Sequence, residues 1–165
     1  MEKRDLYDMN GNLTGETVYI NEPIPKDKRI SVVLVFIENS KGKFLVQKRS
    51  AIKTGTYGFT GGHPKSGETI IQGMQTEIKE ELGLSVSQSD LKLINSGIDD
   101  ECFYNIYYMK KDIDISSLTL QKEEVDFVKW FTIDEINSLI KDGLFFKNHY
   151  EAYQIFLKLR KEGAI

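Results

Sequence analysis

The residues whose types and spacing could do chemistry are three glutamates, Glu77, Glu80 and Glu81. They lie in the stretch Thr69-Ile70-Ile71-Gln72-Gly73-Met74-Gln75-Thr76-Glu77-Ile78-Lys79-Glu80-Glu81-Leu82. At about 100° per residue, Ile70, Ile71, Met74, Ile78 and Leu82 fall on one apolar stripe, so the spacing predicts a helix packed on a sheet. The three carboxylates share a neighbouring arc. Glu77 is spaced i,i+3 from Glu80 and i,i+4 from Glu81, where like charges repel. All three sit in the last two turns, where the helix dipole favours cations. One explanation is a solvated face, since glutamate forms helices well. The other is a divalent cation, which reverses the sign of both penalties. Mg²⁺ takes oxygen ligands and keeps several waters, leaving positions for phosphate oxygens and a nucleophilic water.

The loop in front of the helix favours the second explanation. Gly61 and Gly62 let backbone approach a ligand closely, although glycines also make ordinary tight turns. Glu68 stands where loop becomes helix, favourable with the dipole and placed to brace the loop. Gly73 lies one turn before Glu77 on the same arc. A glycine there costs roughly 1 kcal/mol relative to alanine and leaves room for something to approach.

Gly62, five residues, Glu68, seven residues, then Thr76-Glu77-Ile78-Lys79-Glu80-Glu81-Leu82-Gly83-Leu84 resembles the Nudix box, G-x5-E-x7-R-E-U-x-E-E-x-G-U, with U a bulky aliphatic. Every defined position but one agrees. The resemblance spans 30–140. It implies an α/β fold, an α/β/α sandwich around a mixed β-sheet, here with an N-terminal β-hairpin. It implies an enzyme, a Mg²⁺- or Mn²⁺-dependent pyrophosphohydrolase that cleaves a nucleoside diphosphate linked to another group. By carry-over, Glu80 and Glu81 are the first metal ligands, Glu77 is a further ligand or the base that activates water, and the Gly62 carbonyl completes the coordination. Gly61, His63, Arg49 and Tyr57 are expected around the substrate, with Tyr57 and Phe59 either stacking on a base or packing the loop. Glu123 and Glu124 are candidates for an additional acid or base.

The departure is Thr76, where the family has arginine. Threonine supplies neither the charge nor the fork of donors, and Lys48, Arg49 and Lys53 are the expected substitutes. The alternative this raises is a Nudix-like nucleotide-binding or regulatory domain with weakened catalysis. The opening Asp5-Leu6-Tyr7-Asp8 with Gly11 and Thr14-Gly15 is similar to a bacterial subgroup related to isopentenyl diphosphate isomerases. The isomerase itself is a remote alternative, because Gly61 stands where that family has a catalytic cysteine.

The elements that must position these residues read as one domain over 1–165. Asn10-Gly11 marks a hairpin between Leu6-Tyr7-Asp8 and Leu13–Tyr19. Ile30–Ile37 reads as a central strand covered on both faces, and Phe44–Lys48 as its return. Residues 50–67 read as loop, followed by the helix to Leu82 with Gly83 as its cap. Strands are expected near 84–86, 91–98, 102–110 and 125–131, and helices over 133–141 and about 148–160. Thr132 is the N-cap of the first of these. Ile155, Phe156 and Leu159 share a face, for core or a homodimer contact. A net charge of −3 argues against a basic face for a nucleic-acid polymer. No apolar run approaches a membrane span. The lone cysteine, Cys102, reads as a packed strand residue in a reducing cytoplasm.

Overall fold

The computed structural model describes residues 1–165. Strands β1 (Lys3–Tyr7) and β2 (Leu13–Tyr19) form the expected hairpin. Its turn is closed by Asp8, whose Oδ1 accepts from the Asn10 and Asn12 N–H groups at 2.8 and 2.9 Å. The valine-rich run becomes β3 (Arg29–Glu38), followed by β4 (Phe44–Arg49), β5 (Tyr57–Gly58) and β6 (Thr60–Gly62). Helix α1 (Ile70–Leu82) comes next, then β7 (Lys92–Ile98), β8 (Cys102–Lys110) and β9 (Val125–Phe131). Helices α2 (Ile133–Lys141) and α3 (Lys147–Lys161) close the chain. None of the helices is long and apolar enough to cross a membrane.

β3 is the hub of a mixed sheet. Along one edge it pairs in parallel with β8 from Ile30↔Cys102 to Glu38↔Lys110. The other edge is shared in succession by β1, β6 and β4, all antiparallel. β9 and β5 extend the sheet from β4, and β7 extends it from β8. A strand buried on both faces needs cover on both. Val33, Val35 and Ile37 pack with Met74, Ile78 and Leu82 of α1. On the opposite face Leu34 and Phe36 pack with Ile136 of α2 and Tyr153 and Phe156 of α3. The result is the expected α/β/α sandwich. Phe156 is thus core, and Arg160 one turn on ties α3 to the sheet through an ion pair with Glu38.

Three expectations for the elements are corrected. Gly61-Gly62 is strand rather than loop, because these residues pair with Leu34 and Val33 of β3. Tyr57–Gly58, read as loop, forms the short β5 against β4. Residues 84–86 make no strand. Gly83 ends α1 in the left-handed region at φ 67°, and the Gln75 amide, rather than a ladder, satisfies the Val86 carbonyl at 2.8 Å.

Candidate active site

Helix α1 begins at a capping box. The Thr69 hydroxyl accepts from the Gln72 N–H, and the Gln72 side chain accepts from the Thr69 N–H. Its direction is also set by Gly73, whose absent Cβ would lie 2.5 Å from Pro64. What approaches Gly73 is therefore the preceding loop. Glu68 braces the same loop, accepting from the Lys65 N–H at 2.8 Å and from the Thr76 hydroxyl at 2.5 Å. Thr76 thus keeps a contact to Glu68 without a charge.

The three glutamates do not behave alike. Glu81 is 6% exposed and lies against the sheet. The buried Gln47 amide donates to its Oε2 at 3.1 Å, and the Thr60 hydroxyl donates to Gln47 Oε1 at 3.3 Å. Glu77 is half-buried, and the His63 N–H donates to its Oε1 at 3.0 Å. Its carboxyl fills the space a Gly62 Cβ would take, 2.4 Å away. Glu80 points outward and is paired with Lys65. Neither Glu77 nor Glu81 has an ion-pair partner. Burial, then the nearby Glu80, pushes Glu77 up to about 7. Burial, then Glu77, pushes Glu81 up to about 8. Two desolvated carboxylates facing each other are what a cation would relieve.

Around them stand the other expected residues. His63 is held down to about 4 by burial and by the charges of Arg4 and Lys53. Arg49 lies over the Phe146 ring at 4.3 Å and donates to Thr54 Oγ1 at 2.9 Å, and it feels the charges of Glu81 and Glu124. Of the two later glutamates, Glu124 faces the site. It pairs with Lys53 at 2.7 Å, and its charge reaches Glu81. Glu123 is exposed, and its carbonyl accepts from Ser50 Oγ at 2.6 Å.

Of the two roles open to Tyr57 and Phe59, both residues make packing contacts. Phe59 is wholly buried against Phe36 and Phe145. Tyr57 packs edge-on against Phe131, with Lys48 over its ring at 4.7 Å. Lys48 is thereby turned away from the role left open at Thr76. Gly61 has no room for a cysteine, since a Cβ there would lie 2.4 Å from the Val33 carbonyl oxygen. The Cys102 thiol is pushed up to about 12 by burial and by Asp99.

A cavity of about 720 Å³ opens beside His63, between the sheet and α3. Ile30, Val32, Leu34 and Ile155 line it, and Asp99, Asp100, Glu101 and Glu151 also border it. His149 borders it too, buried and accepting from the Phe59 N–H at 3.0 Å. Two residues of the neighbourhood were not singled out in the sequence. Gln47 had a signal, being the one polar residue in the run Phe44-Leu45-Val46-Gln47. Arg4 had none, lying more than seventy positions from Glu77 in the chain.

An α/β/α sandwich carries these acidic groups at the end of α1, beside the strands before it. A family model described as NUDIX domain matches residues 27–154, and the chain belongs to that family as a Nudix-type pyrophosphohydrolase. It is 35% identical over 149 residues to an uncharacterized Nudix hydrolase of Listeria monocytogenes, covering 88% of each chain. A counterpart from Listeria innocua is 34% identical over the same length, again with 88% of each covered. Among solved structures, a Deinococcus radiodurans protein superposes with a TM-score of 0.72 at 21% identity, over 87% of this chain and 91% of that one. A bifunctional NMN adenylyltransferase/ADP ribose pyrophosphatase from Francisella tularensis, complexed with AMP and a manganese ion, gives a TM-score of 0.62 at 18% identity, over 84% of this chain and 43% of that one.

Proposed function

We propose that this protein hydrolyses the phosphoanhydride bond of a nucleoside diphosphate linked to another group, with Mg²⁺ or Mn²⁺. The observation that carries the reading is the pair Glu77 and Glu81, one half-buried and one buried carboxylate with no ion-pair partner beside a close-approach glycine. An all-oxygen donor set of this kind fits a hard cation. No three such side chains yet converge on one point, because Glu80 is held outward by Lys65. Glu80 and Glu81 would be the first ligands of such a cation, Glu77 a further ligand or the base, and the Gly62 carbonyl another donor. When bound, the cation neutralises phosphate charge and lowers the pKa of a coordinated water.

The chain's own groups do the positioning. The His63 N–H and the Gln47 amide fix the direction of Glu77 and Glu81. Arg49 and Lys53 supply positive charge for a diphosphate, and Glu124 is the additional acid or base. Gly61 keeps β6 tight against β3, where a Cβ would meet the Val33 carbonyl oxygen, and so holds Gly62 beside Glu77. The cavity beside His63 takes the substrate's remaining group. Its apolar floor, bordered by four carboxylates against the one lysine, Lys147, suits a group without further negative charge. The N-terminal hairpin supports membership of the subgroup related to isopentenyl diphosphate isomerases. Thr76 supports a second reading, a nucleotide-binding domain with weakened turnover.

The test is a panel of nucleoside diphosphate derivatives with Mg²⁺ or Mn²⁺, measuring phosphate or nucleotide release. Turnover that is lost in Glu81→Gln supports the enzyme. No turnover of any substrate, together with ligand binding unchanged in Glu81→Gln, sinks it in favour of the binding domain.

A further inference from the structure

The box lacks one guanidinium, yet another stands beside it. Leu6 faces Ile30 and Gly62 faces Val33 on the same edge of β3, so β1 and β6 lie end to end. Arg4, near the start of β1, therefore sits next to the end of β6, where Gly62 leads into His63. β1 is pinned there. The Ser66 N–H donates to the Lys3 carbonyl at 2.8 Å. Asp5 accepts from the Ser66 hydroxyl at 2.6 Å and from the Gly67 N–H at 3.0 Å. The charge of Arg4 reaches both Glu77 and His63.

Arg4 itself is unpartnered. It takes part in no ion pair, and its Nε–H is shut off from solvent without an acceptor. A buried charged donor left unmade is costly. The rest of the side chain is only partly buried, and the carboxylates whose charge it feels, Glu2 first and then Glu77, form no ion pair with it. An anion with paired oxygens would satisfy the fork.

We propose that Arg4 is a substrate-binding residue, a guanidinium brought from the N-terminal hairpin to grip a phosphoryl oxygen beside the box glutamates. This rests on reading the site as a diphosphate site. Arg4 lies outside residues 27–154, the segment matched to the family, so the proposal extends the site to the hairpin.

The experiment is calorimetric titration of the full chain with methylenediphosphonate, a diphosphate mimic that resists hydrolysis, in the presence of Mg²⁺. Arg4→Met is expected to weaken binding roughly tenfold to hundredfold. Arg4→Lys should fall between, keeping charge without the fork. Lys3→Gln, one residue away with its ammonium over the Tyr19 ring, should bind as the wild type does. The melting temperature of Arg4→Met should be unchanged or higher, because an unsatisfied donor is removed; an arginine with a purely structural role would lower it. In the wild type labelled with ¹⁵N-arginine, the Arg4 Nε–H resonance should shift on titration, a readout that needs no variant to fold. Equal affinity of Arg4→Met and wild type, an unmoved Nε–H resonance, or no binding by the wild type overturns the proposal. If diphosphonate binding depends on Arg4 while no nucleotide is hydrolysed, the proposed activity fails and the Arg4 site stands.

Discussion

Replacing Glu81 by glutamine should make the metal-free protein more stable while abolishing its activity. Glu81 is 6% exposed, hydrogen-bonded by Gln47, and faces Glu77. Its carboxyl is pushed up from 4.5 to about 8 by burial first and Glu77 second. Between those two values the folded chain holds a proton that the unfolded chain has released. Stability is therefore full below 4.5 and declines as pH rises toward 8. Each unit of difference is worth about 1.4 kcal/mol. Relaxation and water penetration reduce the total, so a penalty on the order of 2 kcal/mol is expected at pH 7.5. Glutamine keeps the shape and cannot ionise. In EDTA at that pH, Glu81→Gln should melt roughly 4–8 °C above the wild type. At pH 4.5 the gap should close. Added Mg²⁺ should raise the melting temperature of the wild type and leave the variant nearly unmoved. The assay is a thermal melt followed by circular dichroism across pH, with and without Mg²⁺. A variant that melts below the wild type in EDTA at pH 7.5 would refute the reasoning, because Glu81 would then be a stabilising group rather than a strained one.

Three further outcomes follow from the same geometry. Gly73→Ala, which gains about 1 kcal/mol in an open helix, should here destabilise, since its Cβ would meet Pro64 at 2.5 Å; chemical denaturation gives the sign. Gly62→Ala would drive a methyl into the Glu77 carboxyl at 2.4 Å, and a displacement near 1 Å should lower kcat by about a hundredfold with the fold intact. His149 is held down to about 3, by burial first and Arg49 second, against 6.5 when exposed. Stability should therefore fall as pH drops below 6.5 toward 3, losing about 2 kcal/mol at pH 5; His149→Gln, keeping an acceptor for the Phe59 N–H, should lose less in urea titrations at that pH.

Much of this molecule follows from local order in the chain. The apolar stripe Ile70, Met74, Ile78 and Leu82 dictates a helix packed on a sheet, and Thr69 and Gly83 mark its ends through backbone chemistry alone. The run Arg29–Glu38 cannot be stable unless covered on both faces, which leads to the sandwich. The spacing of Glu77, Glu80 and Glu81 predicts an acidic arc, because helical periodicity is a property of sequence.

What periodicity cannot do is rank those glutamates. Only the packing of α1 against β4 and β6 buries Glu81 under Gln47, leaves Glu77 in the hollow at Gly62, and sends Glu80 outward to Lys65. Only the pairing of β3 with Gly61 turns an apparent loop into strand and removes the room a cysteine there would need. Arg4 is the clearest case. Its distance from the box along the chain hides it, and the shared edge of β3 brings it to Gly62. The physical reason is that periodicity describes one element at a time. Burial, desolvation and the completion of a charged site depend on which elements meet, and tertiary structure alone decides that.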